Sequence, residues 1–185
     1  MINNILGKNI YLREVQYSDS KKIVKWRNDD NIGKYLTRKK LTLTKQKLFI
    51  EEYVKRENDF YFIAELKNKR VPIGTVAVFN YDKITKIAEW GRIIVLPEYS
   101  LAAFEIAFLS IQFAFEELKI NKIYGAVQKE NKVAHRFDLS LGFVEEGILR
   151  SHYWNGKKCD DVILIAMFKD EYKKLKYKYK KIIIK

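Results

Sequence analysis

Few side chains in this 185-residue sequence combine a reactive type with informative surroundings. Cys159 is the one cysteine, which excludes an internal disulfide and a thiolate metal cluster. His135 and His152 have no acid or nucleophile at telling spacing, which argues against zinc and against a histidine-centred triad. What remains is charge and aromatic surface. Glu89 lies inside the strand-like run KIAEWGRIIV, where alternation places Glu89, Gly91 and Ile93 on one face and Trp90, Arg92 and Ile94 on the other. Ser100 opens a long apolar helix, and the first-turn amides of such a helix attract an anion. Arg27 and Asn28 close an early helix, and Arg136 follows Asn131 near the start of a later one. A guanidinium at either place suits a phosphate. Trp90 and Trp154 offer rings to stack on a sugar or a base.

The elements that must position these groups follow from pattern. IYLREV is rich in strand formers, and Ser18 offers a cap to the helical DSKKIVKWRND. A short helical piece near Ile32 to Leu36 and a basic loop, TRKKLTLT, lead to Thr44, a cap for KQKLFIEEYVKRE. FYFIAEL, PIGTVAVFNY and KIAEWGRIIVL read as a three-strand meander. Then come the apolar helix from Ser100 to about Leu118, the strand KIYGAVQ, a helix from Asn131 to Leu141, and the strands FVEEGILRSHYW and DDVILIAMF. Asn155-Gly156 between the last two reads as a two-residue hairpin turn. This order predicts an α+β fold with a mixed, partly open sheet flanked by helices.

A 48% hydrophobic content with 8 Gly and 2 Pro fits one ordered domain, here residues 1–168. Residues 169–185 form a basic tail with eight lysines against Asp170 and Glu171, expected to be a solvated helix end. The net charge of +13 attracts anions, so nucleic acid through the tail is the lesser partner expectation. The stretch Leu101 to Phe115 is interrupted by Glu105, Ser110 and Gln112 and suits a buried helix, so no membrane span and a cytoplasmic location are expected.

The element order and three stretches resemble the GCN5-related N-acetyltransferase (GNAT) family, in particular its ribosomal-protein-acetyltransferase-like branch. The first is INNILGKNIYLREVQYSDSKKIVKWRND, with Trp26-Arg27-Asn28 ending its helix. The second is Asn131-Lys132-Val133-Ala134-His135-Arg136 followed by Leu141-Gly142-Phe143 and Glu146-Gly147. The third is NGKKCDDVILIAM. The resemblance implies acetyl-coenzyme A as donor, no metal, and a primary amine as acceptor, best an amino sugar or a nucleotide-linked amino sugar. A protein N-terminus is the alternative acceptor, and a homodimer is compatible. A fold relative that has lost transfer and binds through its tail is the reading of another class.

The same resemblance assigns roles. An ammonium has no lone pair for attack, so a base must take its proton, and Glu89 is the candidate. Ile93, Ile94 and Val95 would offer backbone groups to the pantetheine arm. Asn131 and Arg136 would hold the arm and a phosphate. Arg27, Asn28, Trp90 and Trp154 would line the acceptor pocket. The phosphate loop is the departure: where the family has a basic or neutral residue and glycines, this chain has Glu98-Tyr99-Ser100-Leu101-Ala102-Ala103. The tyrosine that protonates the leaving thiolate in many relatives is matched by Asp138, expected here to be a solvated helix residue.

Overall fold

The computed structural model describes residues 3–36 and 40–183, and side chains up to Lys180. The Thr37-Arg38-Lys39 part of the expected basic loop and the last two tail residues lie outside the described residues. Strands β1 (Ile5–Leu6), β2 (Ile10–Glu14), β3 (Phe60–Leu66), β4 (Pro72–Asp82), β5 (Ile87–Val95), β6 (Lys122–Gln128), β7 (Val144–Trp154) and β8 (Cys159–Phe168) form one sheet of order β1-β2-β3-β4-β5-β6-β8-β7. Every neighbouring pair is antiparallel except β5 and β6. The mixed sheet expected from the sequence is thus present, with the short β1 added at its edge.

The helices are α1 (Ser20–Arg27), α2 (Leu43–Tyr53), α3 (Ala103–Gln112), α4 (Lys132–Leu141) and α5 (Lys169–Ile183). A single turn of 3-10 helix, Tyr17–Asp19, leads into α1, with a reciprocal Gln16–Asp19 capping box in place of the expected Ser18 cap. Thr42, rather than Thr44, caps α2 by accepting from the Lys45 amide. Asn131 caps α4, its side chain accepting from the Ala134 amide, and Gly142 ends that helix at φ 97°, a left-handed position that favours glycine.

The sheet separates two apolar layers. On one face α3 is buried from Glu105 to Ile111 against Phe62, Val76, Val78 and Trp90. The helical stretch Pro97–Glu117 is long and apolar enough to cross a bilayer by length and composition, yet most of its side chains from Ile106 to Phe115 are packed into this core. On the other face α1 and α2 bury Ile23, Trp26, Ile50 and Tyr53 against Tyr61, Ile63, Ala77 and Ile94. The tail differs from the expected solvated end. α5 buries Tyr172, Leu175 and Tyr179 in the main core, and only its lysine side faces water.

Candidate active site

The sheet splits in the middle. β5 and β6 pair in parallel only at Ile87–Lys122, Ala88–Ile123 and Glu89–Tyr124. Beyond Glu89 and Tyr124 the two strands run on without a shared ladder among the described residues, leaving a crevice at their carboxyl ends. A parallel pair that parts at this end of an open sheet is where ligands settle in α/β architectures. The helical stretch carrying α3 starts at the mouth of the crevice directly after β5, and α4 starts there after β6.

A bulge in β5 shapes one wall. Ala77 pairs with Gly91 and Thr75 with Ile94, so Arg92 and Ile93 together oppose Val76, and Arg92 takes φ 51°. The extra residue shifts the alternation read from the sequence. Trp90, Ile93 and Val95 pack toward the α3 layer, whereas Ile94 and the Arg92 guanidinium lie in the α1/α2 layer. Arg92 sits 4.2 Å from the ring centre of Phe79 and over Phe49 and Tyr61 at 5.3 and 5.5 Å. Its Nη1 reaches Asp59 at 2.6 Å, and Arg56 meets the other oxygen of that buried carboxylate. Gly74 is required opposite the bulge, since a Cβ there would stand 2.1 Å from the Ile94 carbonyl oxygen.

Glu89 is at the apex of the split. It accepts a 3.0 Å bond from the Asn80 side-chain amide, and the Tyr124 hydroxyl lies 3.4 Å away. Burial, then Glu89, pushes the Tyr124 hydroxyl above the usual phenol range, so it stays a donor at neutral pH. Neither Asn80 nor Tyr124 stood out in the sequence; the parallel register that sets Tyr124 opposite Glu89 is a tertiary fact.

Two acceptor-side expectations are corrected. Trp90 is buried, its ring stacked 5.2 Å from Phe143 and its Nε1 donating to Ser110, so it presents no face to an acceptor. Asn28 exchanges two hydrogen bonds with the Leu41 backbone, at 2.9 and 2.8 Å, and so fixes the segment between α1 and α2 rather than reaching the crevice. Trp154 is half exposed in the last pair of the β7–β8 hairpin. The hairpin aromatic within electrostatic reach of Arg27 is its neighbour Tyr153. The hairpin loop is also longer than read: Trp154 pairs with Cys159, leaving four residues, with Gly156 at φ 100°.

Arg27 ends α1. It is half-buried, it donates to the Leu36 carbonyl at 3.0 Å, and burial followed by the like charge of Arg92 lowers its pKa. Tyr35 then crosses from the α1–α2 segment to the end of β6, where its carbonyl accepts from Gln128 and its hydroxyl donates to the Glu130 carbonyl. Tyr61, Arg92 and Tyr153 each act electrostatically on Arg27.

Asp138 is also corrected. It is 5% exposed on the inward side of α4, and burial raises its pKa to about 7. No side-chain partner for its carboxyl is found among the described residues. Position 138 carries a proton at neutral pH for a large part of the time, the property a thiolate donor needs.

The crevice and loop bear differently on the donor. The parted strands and Asn131 at the head of α4 suit an extended amide-bearing arm. The backbone kinks at Tyr99 (φ −119°, ψ 23°), so the turn Ser100–Ala102 restarts the helix with first-turn amides at the crevice mouth. Ser100 and Glu98 are exposed, Leu101 is 96% exposed, and Ala102 and Ala103 are half-buried. Small residues at 102 and 103 leave room for a diphosphate, but the loop contributes no positive side chain. Arg136 is exposed one turn into α4.

Residues 9–144 match the family model described as an acetyltransferase (GNAT) domain. The chain belongs to the GNAT acetyltransferases. It is an acetyl-coenzyme A-dependent N-acetyltransferase acting on an amine, and no group of metal-binding side chains occurs among its described residues. The acetyltransferase is 26% identical to the solved structure of apo FdhC, described as a nucleotide-linked sugar GNAT, over 97% of both chains with a TM-score of 0.80. It shares its fold with spermidine N-acetyltransferase from Vibrio cholerae in complex with CoA and spermine, at 24% identity, a TM-score of 0.81, and 89% and 98% of the two chains. Among curated proteins it is 23% identical to the uncharacterized N-acetyltransferase YnaD of Bacillus subtilis over 91% of this chain and 99% of that one. It is 26% identical to the spermidine N(1)-acetyltransferase of Escherichia coli K12 over 66% and 65%.

Proposed function

We propose that the acceptor is the primary amine of an amino sugar carried on a nucleoside diphosphate. The observation that carries this reading is the half-buried guanidinium of Arg27, whose charge is disfavoured by burial and, to a lesser degree, by the like charge of Arg92. A cation so placed gains from an anionic ligand and opposes a polycation such as a polyamine. Asp59, the buried carboxylate that meets Arg92, is shared between Arg92 and Arg56. Tyr35, tied to both Gln128 and Glu130, bounds the acceptor side in a way that suits a compact small molecule better than an extended peptide. Similarity to a nucleotide-linked sugar GNAT over nearly the whole chain supports the same choice.

Acetyl-coenzyme A supplies a thioester whose carbonyl is open to attack. Glu89, oriented by Asn80 and Tyr124, takes a proton from the acceptor ammonium directly or through water. The nitrogen lone pair then forms the new carbon–nitrogen bond, and the carbon–sulfur bond breaks as the nitrogen gives up its second proton to water, leaving the amide. Backbone amides of Ile93 to Val95 beyond the bulge polarise the carbonyl. Asp138 gives its proton to the departing thiolate. The test is incubation with acetyl-coenzyme A and a panel of nucleoside-diphosphate-linked amino sugars, with thiol release and acetylated product followed together. Turnover of spermidine with none of any sugar nucleotide would reverse the assignment.

A further inference from the structure

The helix that opens at the crevice has no cation of its own. From Pro97 to Glu117 the sequence carries Glu98, Glu105, Glu116 and Glu117 and neither Lys nor Arg. Acetyl-coenzyme A brings a diphosphate and a 3′-phosphate, and a helix start alone offers only a fractional positive charge. Neighbouring elements must supply the rest.

Two of them converge on one residue. Phe104, the second residue of α3, is held between Phe137 of α4, ring centres 5.0 Å apart, and Tyr179 of α5, 5.6 Å apart. Tyr172, seven residues earlier in α5, stacks 4.7 Å from Phe115 at the far end of the same helix. α5 therefore runs antiparallel to α3, with its last described turn beside the helix start. In that turn Lys178 and Lys180 bracket Tyr179, and both are exposed. At 100° per residue they project to opposite sides of the packed stripe of Tyr172, Leu175 and Tyr179. Lys176, one turn back, is bonded to Glu116 and is already used. On the other flank Arg136 precedes Phe137.

We propose that Lys178 and Lys180 of the carboxyl-terminal helix, together with Arg136 of α4, hold the phosphate groups of acetyl-coenzyme A, supplying the charge that the Glu98–Ala103 loop lacks. The proposal deepens the donor side of the acetyltransferase reading and rests on it. The tail is then part of the donor site, and the buried tyrosines of α5 are what bring its lysines to the crevice.

Calorimetric titration of the full chain with acetyl-coenzyme A and with 3′-dephospho-coenzyme A tests it. Lys178→Gln/Lys180→Gln is compared with Lys173→Gln/Lys174→Gln, which removes the same charge from the start of α5. The 178/180 pair is expected to weaken acetyl-coenzyme A binding about 10- to 100-fold and to shrink the preference over the dephospho form, with the 173/174 pair close to wild type. Equal weakening by both pairs reduces the effect to net charge, and unchanged affinity of the 178/180 pair removes the lysines from the site; either overturns the proposal. Wild-type protein that binds neither ligand overturns the donor reading along with it. Thermal melting of each variant separates lost binding from lost fold.

Discussion

Arg92 Nη1 and Asp59 Oδ1 lie 2.6 Å apart, joining the β5 bulge to the residue just before β3 beneath a cover of three aromatic rings. Asp59 is 5% exposed, so removing Arg92 leaves a buried carboxylate with only Arg56, at 3.3 Å, to balance it. Arg92→Ala is expected to cost about 2–4 kcal/mol of stability, because an uncompensated buried charge costs more than the pair contributes. Urea unfolding at pH 7 reads this directly. Arg92→Ala combined with Asp59→Asn should recover part of the loss, and a double variant no better than the single one contradicts the pairing.

Under the proposed function, Arg27 serves binding rather than the chemical step. Arg27→Met is expected to raise KM for a nucleotide-linked acceptor about 10- to 100-fold with kcat little changed, the pattern of a lost charge-assisted contact made equally in ground and transition states. KM for the free amino sugar should stay near wild type. A fall in kcat with KM constant would place Arg27 elsewhere in the reaction.

Glu89→Gln keeps an acceptor for Asn80 and removes the proposed base. Its kcat is expected to fall about 10²- to 10³-fold at neutral pH. The deficit should narrow as pH rises toward the amine's own pKa, since the acceptor then arrives deprotonated. A deficit that stays constant across that range assigns Glu89 to positioning.

Asp138 couples stability to pH. Its folded pKa of about 7 stands above the unfolded value near 3.9, so the folded state holds its proton more tightly. Stability from this group is fully present below about pH 4, declines as pH rises, and is lost above about pH 7, by on the order of 4 kcal/mol in total. Asp138→Asn has no proton to release, so its stability relative to wild type should improve between pH 5 and pH 8. Melting curves at the two pH values check the sign. The same substitution should slow turnover and remove the activity limb near pH 7.

The sequence carried the fold further than the site because repeated pattern is local and the site depends on breaks in it. Strands, helices and their order follow from apolar periodicity, and Asn131 and Gly142 announce the ends of α4 by residue type. The bulge at Arg92 has no such mark, since the residue at positive φ is not a glycine, and one extra residue reverses which side chains share a face. Trp90 and Trp154 are alike in sequence, yet one is sealed against Phe143 and the other half exposed. Asp138 and the α5 tyrosines were misread for a related reason. A carboxylate on a helix and a lysine-rich tail are usually solvated, and only the packing of α4 and of α5 on α3 makes these exceptions. That Arg27 ends α1 could be read from the helical pattern of DSKKIVKWRND.

The central claim, acetyl transfer to an anionic amine acceptor, is tested most directly by initial rates with acetyl-coenzyme A and three acceptors at equal concentration: a nucleoside-diphosphate-linked amino sugar, the same sugar without its nucleotide, and spermidine. The half-buried Arg27 predicts the nucleotide-linked sugar fastest by at least about tenfold, the gap closing in Arg27→Met. Spermidine fastest, with the nucleotide adding nothing to the sugar, would contradict the account.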